Sequence, residues 1–325
     1  MNDTLYTAKF RDIVLINPIM KGADKLKIIS GYATHTMASW HITEIMSRVE
    51  KRVEINLIVG MCPLDGISVA VHNGFKKLAT DFDSNAKTCF ECQYITEGLP
   101  VHSKLYLWER ESKPFLAFTG SANYTQPAFF DKRDEILKSC CPYEALRYLR
   151  SIEPRTMFCN RAEIEEKVLL RQVHPVLKAE DTPMRALRDS GITKVNLFLL
   201  TKSGDVGFGS GINWGHRRNK IPREPNQAYI PLPSDIARSG FFPLEGRHFS
   251  VLTDDKIQMI MRVEQQNNKA ITTPQNNSLI GEYLRGRIGV ASGAFVLRQD
   301  LLNYGRTDVT FYKLDEEEFF MDFSV

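Results

Sequence analysis

Two strand-like runs around residues 101–123 constrain this chain more than any other feature. In Val101–Trp108 polar and apolar residues alternate, the pattern of a half-buried strand. A side-chain period of two puts His102 and Lys104 on one face, roughly 6.6–7 Å apart along the strand. A second apolar run, Pro114 to Thr119, ends in Gly120-Ser121-Ala122-Asn123, where a small residue lets the backbone come close to a ligand. An imidazole, a cation, a hydroxyl and a carboxamide near one another are what a phosphoryl group needs.

These residues resemble the signature of the phospholipase D nuclease superfamily: His-x-Lys, an acidic residue five after the lysine, then Gly-Ser-x-Asn. Glu109 stands where that family usually carries aspartate, at a position the resemblance implies is structural. Past the asparagine, the family's nucleases have a short helix and then a glutamate. The stretch from Tyr124 to Glu135 looks like that segment, with Glu135 in the glutamate's place. The match spans about thirty-five residues with every key residue type in order.

At 325 residues the chain exceeds the usual single-core size, so two domains are expected. Its longest apolar runs, such as Leu57–Cys62, are far too short to cross a bilayer. Asn2, Asp3 and Thr4 with no apolar core behind them do not read as a signal peptide. A cytoplasmic protein without membrane partners is the expectation. The six cysteines all lie in the first half and make no disulfide scaffold for a chain of this length. Cys89 and Cys92 have metal-ligand spacing, and Cys140-Cys141 could supply two more thiolates. Both pairs sit in strand-like segments, where buried reduced thiols are the stronger reading.

The first half alternates strands with helices. Leu26–Tyr32, Val53–Cys62, Cys89–Thr96 and Glu135–Cys140 read as strands, and His35–Arg48, Ile67–Leu78, Tyr143–Ser151 and Arg161–Val173 as helices. An α/β catalytic domain over residues 1–175 follows, a mixed sheet covered by helices. Residues 176–190, with Pro183 and little apolar periodicity, read as a linker. Residues 191–325 read as a mostly β domain, a small barrel or sandwich. Its strands are expected at Val195–Leu200, Ala228–Ile230, His248–Leu252, Ile257–Glu264 and Asp308–Leu314, and Arg298–Tyr304 is its one secure helix.

The net charge of +3 argues nothing about nucleic acid by itself. Lys194–Leu314, however, holds 16 Lys and Arg against 10 Asp and Glu. Arg217, Arg218, Lys220 and Arg223 crowd one Gly/Pro-rich loop without an acid, and a second stretch carries Lys269, Asn276, Arg285 and Arg287. Such side chains reach phosphates and base edges, so both stretches are candidate contacts to double-stranded DNA. The second half also resembles, through Phe208–Gly215, Ala228–Pro233 and Tyr304–Thr307, the C-terminal half of NgoFVII-type restriction endonucleases. That resemblance implies a plant B-three-type pseudobarrel gripping the major groove with two arms.

The expected function is therefore that of a type II site-specific restriction endonuclease hydrolysing DNA phosphodiesters through a phosphohistidine. The resemblance implies a reaction needing no cofactor or metal. His102 would attack phosphorus, Lys104 and Asn123 would donate to the nonbridging oxygens, Ser121 would be a supporting donor or pack the turn, and Glu135 would orient the imidazole. None of His35, His41, His72, His174, His216 and His248 has a lysine two residues on. Family members with a single motif build one site from two subunits, so a homodimer is expected. The resemblance also admits a separate methyltransferase and an NTP-dependent helicase. This chain has no Gly-x-x-x-x-Gly-Lys-Ser/Thr phosphate loop, so any NTP use belongs to another chain. Three alternatives share these features: a nonspecific nuclease of the superfamily, a phospholipid phosphodiesterase, and a catalytically silent DNA-binding protein. The second would be expected to carry a membrane-docking stretch, which the sequence does not show.

Overall fold

The computed structural model describes residues 4–83, 85–171, 191–217 and 222–325. It divides into two compact units, Met1–Val173 and His174–Val325. Residues 176–190, read as the linker, lie outside the described residues.

The first unit is built on an eight-stranded mixed sheet. In chain order its elements are β1 (Leu5–Tyr6), a helical segment Arg11–Ile16 continuing into α1 (Asn17–Met20), β2 (Lys25–Ser30), α2 (His35–Arg48), β3 (Val53–Val59) and α3 (Cys62–Asp65). Then come β4 (Ile67–Ser68), α4 (Val69–Asp81), β5 (Thr88–Ile95), β6 (Leu105–Arg110), β7 (Lys113–Gly120) and α5 (Gln126–Phe129). β8 (Leu137–Cys140), α6 (Pro142–Ile152), β9 (Thr156–Phe158), α7 (Ile164–Lys167) and β10 (Leu170–Arg171) complete it. The main sheet runs β1-β8-β7-β6-β2-β3-β5-β9. β2, β3 and β5 are parallel, while β6, β7 and β8 join antiparallel on the other side of β2.

Both faces of the sheet are covered, and the central strands β2 and β3 become wholly buried toward their carboxyl ends, at Ile28–Ser30 and Leu57–Val59. On one face Val14, Leu15 and Ile19, with Met37, Trp40 and Ile42 of α2 and Phe75 of α4, pack against Ile28, Ile55, Tyr106 and Trp108. On the other, Ala145, Leu149 and Ile152 of α6 cover Ile29, Ile58, Leu105 and Leu107. The start of α2 is set by Thr34, whose side chain accepts the Met37 N–H and satisfies an end donor of the helix.

Three sequence expectations change here. Ile67 and Ser68 do not open α4 but pair with β10, and Ser68 caps the helix that follows by accepting the Val71 N–H. For the same reason Arg161–Val173 is not one helix, because Leu170–Arg171 is taken by that pairing. The strand expected from Val101 begins only at Leu105. His102 and Lys104 therefore sit on its lead-in.

The second unit is a seven-stranded sheet ordered β11-β16-β17-β13-β14-β15-β12. Its strands are β11 (Lys194–Phe198), β12 (Ile230–Pro231), β13 (His248–Thr253), β14 (Gln258–Glu264), β15 (Ala270–Thr272), β16 (Asp308–Lys313) and β17 (Glu318–Asp322). The two edge strands, β11 and β12, approach each other, so the sheet is nearly a closed barrel around Phe242, Phe249, Met261, Phe311 and Phe319. Among the described residues three α-helices accompany it: α8 (Ser234–Arg238), α9 (Leu279–Ile288) and α10 (Arg298–Tyr304). α9 corrects the expectation of a single helix. Its Gly281 reads as a loop residue, yet a Cβ there would lie 1.8 Å from the Asn226 carbonyl oxygen. The glycine serves close packing inside a helix rather than a turn.

Candidate active site

Four chain segments meet at one edge of the first sheet because of its register. Ile29 at the end of β2 pairs with Leu105 at the start of β6, Leu105 pairs with Thr119 near the end of β7, and Gly120 pairs with Leu137 at the start of β8. The residues just beyond these pairs are Ser30–Tyr32, His102–Lys104, Ser121–Asn123 and Glu135. This is the carboxyl end of the parallel strand β2, where open α/β sheets bind ligands.

His102 is exposed and Lys104 is buried. The lysine folds back on the histidine. Its Nζ lies 3.0 Å from His102 Nε2 and donates to the His102 carbonyl oxygen at 2.6 Å. The side chains thus touch, where a regular pleat would only have aligned them. An ammonium has no acceptor, so Nε2 is the acceptor in this pair and Nδ1 carries the ring proton. Burial lowers the Lys104 pKa from its usual value, and the charge of Glu135 opposes that shift.

Asn123 is half-buried, and its side-chain oxygen faces inward. Oδ1 accepts the Tyr32 N–H at 3.1 Å and lies 3.3 Å from Ser30 Oγ. That hydroxyl is fully buried, donates to the Tyr32 carbonyl at 2.5 Å and accepts the Tyr124 N–H at 2.9 Å. With its oxygen engaged, the amide leaves Nδ2 as a donor for a phosphoryl oxygen. Ser30, Gly31 and Tyr32 were read from sequence only as strand. A Cβ on Gly31 would come 2.8 Å from His102 Cδ2, so the glycine makes room for the imidazole. A small Ser-Gly pair ending a parallel strand was the available signal.

Ser121 and Glu135 form a separate pair. Ser121 Oγ donates to Glu135 Oε2 and accepts the Ile136 N–H at 3.0 Å. Glu135, expected to orient His102, has Ser121 as its hydrogen-bond partner among the described residues. The serine packs the turn. Glu109 lies toward the far end of β6, buried, with Lys27 Nζ 3.8 Å away.

The other described histidines of this unit are core residues. His41 Nδ1 meets the Tyr124 hydroxyl at 2.9 Å, His72 Nδ1 meets that of Tyr94 at 3.1 Å, and His35 packs on Phe75. Burial lowers the pKa of all three, His41 to about 3 and His35 to about 4.

The cysteines do not converge as their spacing allowed. Cys89 and Cys92 are on β5 and Cys140 is on β8, with β7, β6, β2 and β3 between those strands. Cys92 is buried and its neighbour is Cys159, whose N–H donates to the Cys92 carbonyl at 2.9 Å. Cys141 is exposed. Among the described residues no three His, Cys, Asp or Glu side chains gather as metal ligands, and no helix is long and apolar enough to cross a membrane.

In the second unit the candidate DNA contacts separate into two kinds. Arg217 and Lys269 are exposed, and Asn276 is exposed while its Oδ1 accepts the Ser278 N–H at 2.9 Å. Arg223 lies 4.3 Å over the Trp214 ring and donates to Gln227 at 3.1 Å. Arg218 and Lys220 lie outside the described residues. Arg285 and Arg287 are corrections. Arg285 is fully buried and donates to the carbonyls of Ala294, Gly281, Ile212 and Pro225. Arg287 grips Asp254 through two bonds, at 3.0 and 2.7 Å, and reaches the Tyr283 and Tyr304 hydroxyls. Both guanidinium groups are committed inside the fold.

Residues 8–166 match the family model of the NgoFVII restriction endonuclease N-terminal phospholipase D domain. Residues 187–315 match that of the NgoFVII C-terminal B3-like DNA-binding domain. Solved structures similar to the chain include NucT from Helicobacter pylori, at 18% identity, a TM-score of 0.32, 48% of this chain and 98% of that one. Another is Nuc, a phospholipase D family member from Salmonella typhimurium, at 12% identity, a TM-score of 0.34, and the same two coverages, 48% and 98%. No curated protein matches the chain. Matched in both halves by models of one family, the chain belongs to the NgoFVII-type restriction endonucleases, DNA-cleaving phosphodiesterases with a phospholipase D-like domain and a B3-like DNA-binding pseudobarrel.

Proposed function

We propose that this protein cuts DNA at a specific sequence without a metal, through a phosphohistidine on His102, in a site completed by a second copy of the chain. The observation that carries this reading is the contact of Lys104 Nζ with His102 Nε2 at 3.0 Å. It leaves a neutral imidazole with its lone pair on the exposed nitrogen and a cation at the same point. On binding, a nonbridging phosphoryl oxygen takes over the lysine's proton donor, and Nε2 is freed to attack phosphorus. Lys104 and Asn123 Nδ2 then stabilise the charge that builds on the equatorial oxygens.

The bond from phosphorus to the leaving oxygen breaks as the nitrogen–phosphorus bond forms, so that oxygen needs a proton from the opposite side. His35, His41 and His72 are buried in the core, and each has its pKa lowered by that burial. The proton donor in this reading is the partner copy's equivalent of His102. The same imidazole, once deprotonated, activates the water that releases His102. The barrel reads the sequence, with Arg217, Arg223, Lys269 and Asn276 as the described candidates and Arg218 and Lys220 as further candidates outside the described residues. A methyltransferase or helicase, where one acts, is a separate chain.

The test is cleavage of supercoiled plasmid in millimolar EDTA, with acid-quenched enzyme examined for phosphohistidine. Full cutting in EDTA and a phosphoryl group on His102 are expected. Loss of cutting in EDTA with recovery on magnesium would contradict the mechanism. Cutting at scattered positions would contradict sequence specificity, and headgroup release from phospholipid vesicles without DNA cleavage would replace the substrate.

A further inference from the structure

Tyr32 makes three contacts that no catalytic motif calls for. Its ring stands near-perpendicular to the His102 imidazole, with centroids 5.9 Å apart and an interplanar angle of 77°. Its hydroxyl donates to Asp65 Oδ2 at 2.5 Å, and its N–H holds Asn123 Oδ1 at 3.1 Å. The residue is 43% exposed, so core packing does not account for it. The hydrogen bond to Asp65 fixes the ring from the far end, since α3 ends at that aspartate.

One side of the His102 ring lies close against Gly31, but no carboxylate fixes its angle: Glu135 bonds Ser121 instead, and Lys104 must exchange His102 for the phosphoryl oxygen during reaction. An imidazole free to turn about its side-chain torsions would lose the in-line geometry that attack requires. We propose that Tyr32, anchored by Asp65, is a positioning residue that holds the His102 ring at its attacking angle. This inference rests on the reading of His102 as the nucleophile. Tyr32 donates nothing to the phosphate; it acts through the ring edge it sets against the imidazole.

The test compares full-length Tyr32→Ala, Tyr32→Phe and His102→Ala in single-turnover DNA cleavage, each checked for thermal midpoint and DNA affinity. Edge-to-face contacts contribute modestly, so Tyr32→Ala is expected to slow the chemical step about tenfold. Its DNA affinity and midpoint are expected to stay at wild-type values. Tyr32→Phe, which keeps the ring but loses its Asp65 anchor, is expected to fall between Tyr32→Ala and wild type. A Cε1-labelled histidine spectrum adds a signature that a merely structural role would not move. The His102 resonance, identified by its absence in His102→Ala, should shift most in the alanine variant and less in the phenylalanine variant.

A wild-type rate in Tyr32→Ala while His102→Ala is inactive would overturn the positioning role alone. Equal losses in the alanine and phenylalanine variants would also overturn it, since the ring would then not be the working part. Retained cleavage in His102→Ala would instead remove the underlying reading of His102.

Discussion

Lys104 reaches back to place its ammonium 3.0 Å from the Nε2 of His102, two residues earlier in the chain. Burial pushes the lysine's pKa down and the charge of Glu135 pushes it up, so in the proposed reaction Lys104 and Glu135 would together set the alkaline limit of activity. A cation with a depressed pKa loses its proton at lower pH than a free lysine does. The single-turnover rate should therefore begin to fall below the ordinary lysine value of 10.5. Glu135→Gln removes the opposing charge, and its alkaline limb should move to lower pH. A limb that stays in place or moves up would show that Lys104 is not the group titrating.

The arginines of the second unit give an opposite pair of outcomes. Arg217→Ala and Lys269→Ala should leave the thermal midpoint unchanged and weaken DNA binding. Each lost phosphate contact should reduce the salt slope of binding by about 0.9. Arg285→Ala should instead strip four carbonyls of its guanidinium donors, the bonds to Gly281 and Ile212 being fully buried, and destabilise the unit by roughly 3–5 kcal/mol. A normal midpoint in Arg285→Ala, with a changed salt slope, would return that arginine to the DNA-facing set.

Glu318 supplies a test of fold stability against pH. Burial, with Asp315 and Glu317 nearby, raises its pKa from 4.5 to about 7. The folded state thus holds a proton that the unfolded chain has given up. The contribution to stability is full below 4.5 and is lost as pH rises through about 7. Glu318→Gln should therefore raise the thermal midpoint at pH 8 relative to wild type, by an amount worth about 1–3 kcal/mol, and change it little at pH 4. An equal effect at both pH values would remove the titration as its cause.

Much of the catalytic edge was legible in the chain because its residue types are chemically rare together. His102, Lys104, Ser121, Asn123 and Glu135 lie just beyond neighbouring strand ends of one sheet. Their partners were less legible. Ser30 holds Asn123 where the segments after β2 and β7 meet at the Ala33–Tyr124 bridge, a contact distant in sequence. Glu135 bonds Ser121 because both sit at the ends of neighbouring strands, a tertiary fact. In the second half, composition marked arginines without distinguishing an exposed guanidinium from a buried one. Arg285 and Arg287 lie on α9, and Gly281 and Gly286 disguised that helix as a loop. The strand β17 was hidden for a similar reason, since its first residue belongs to the acidic run Asp315–Glu318.

The shared site is the part of the account on which the rest depends, and mixed subunits test it most directly. Wild-type chains are combined with differently tagged His102→Ala chains, and the doubly tagged heterodimer is isolated and given plasmid DNA. If one His102 attacks while its counterpart protonates the leaving oxygen, the heterodimer lacks one of two required imidazoles and should show almost no turnover. A heterodimer cutting at about half the wild-type rate would mean that each chain owns a complete site, and would contradict the account.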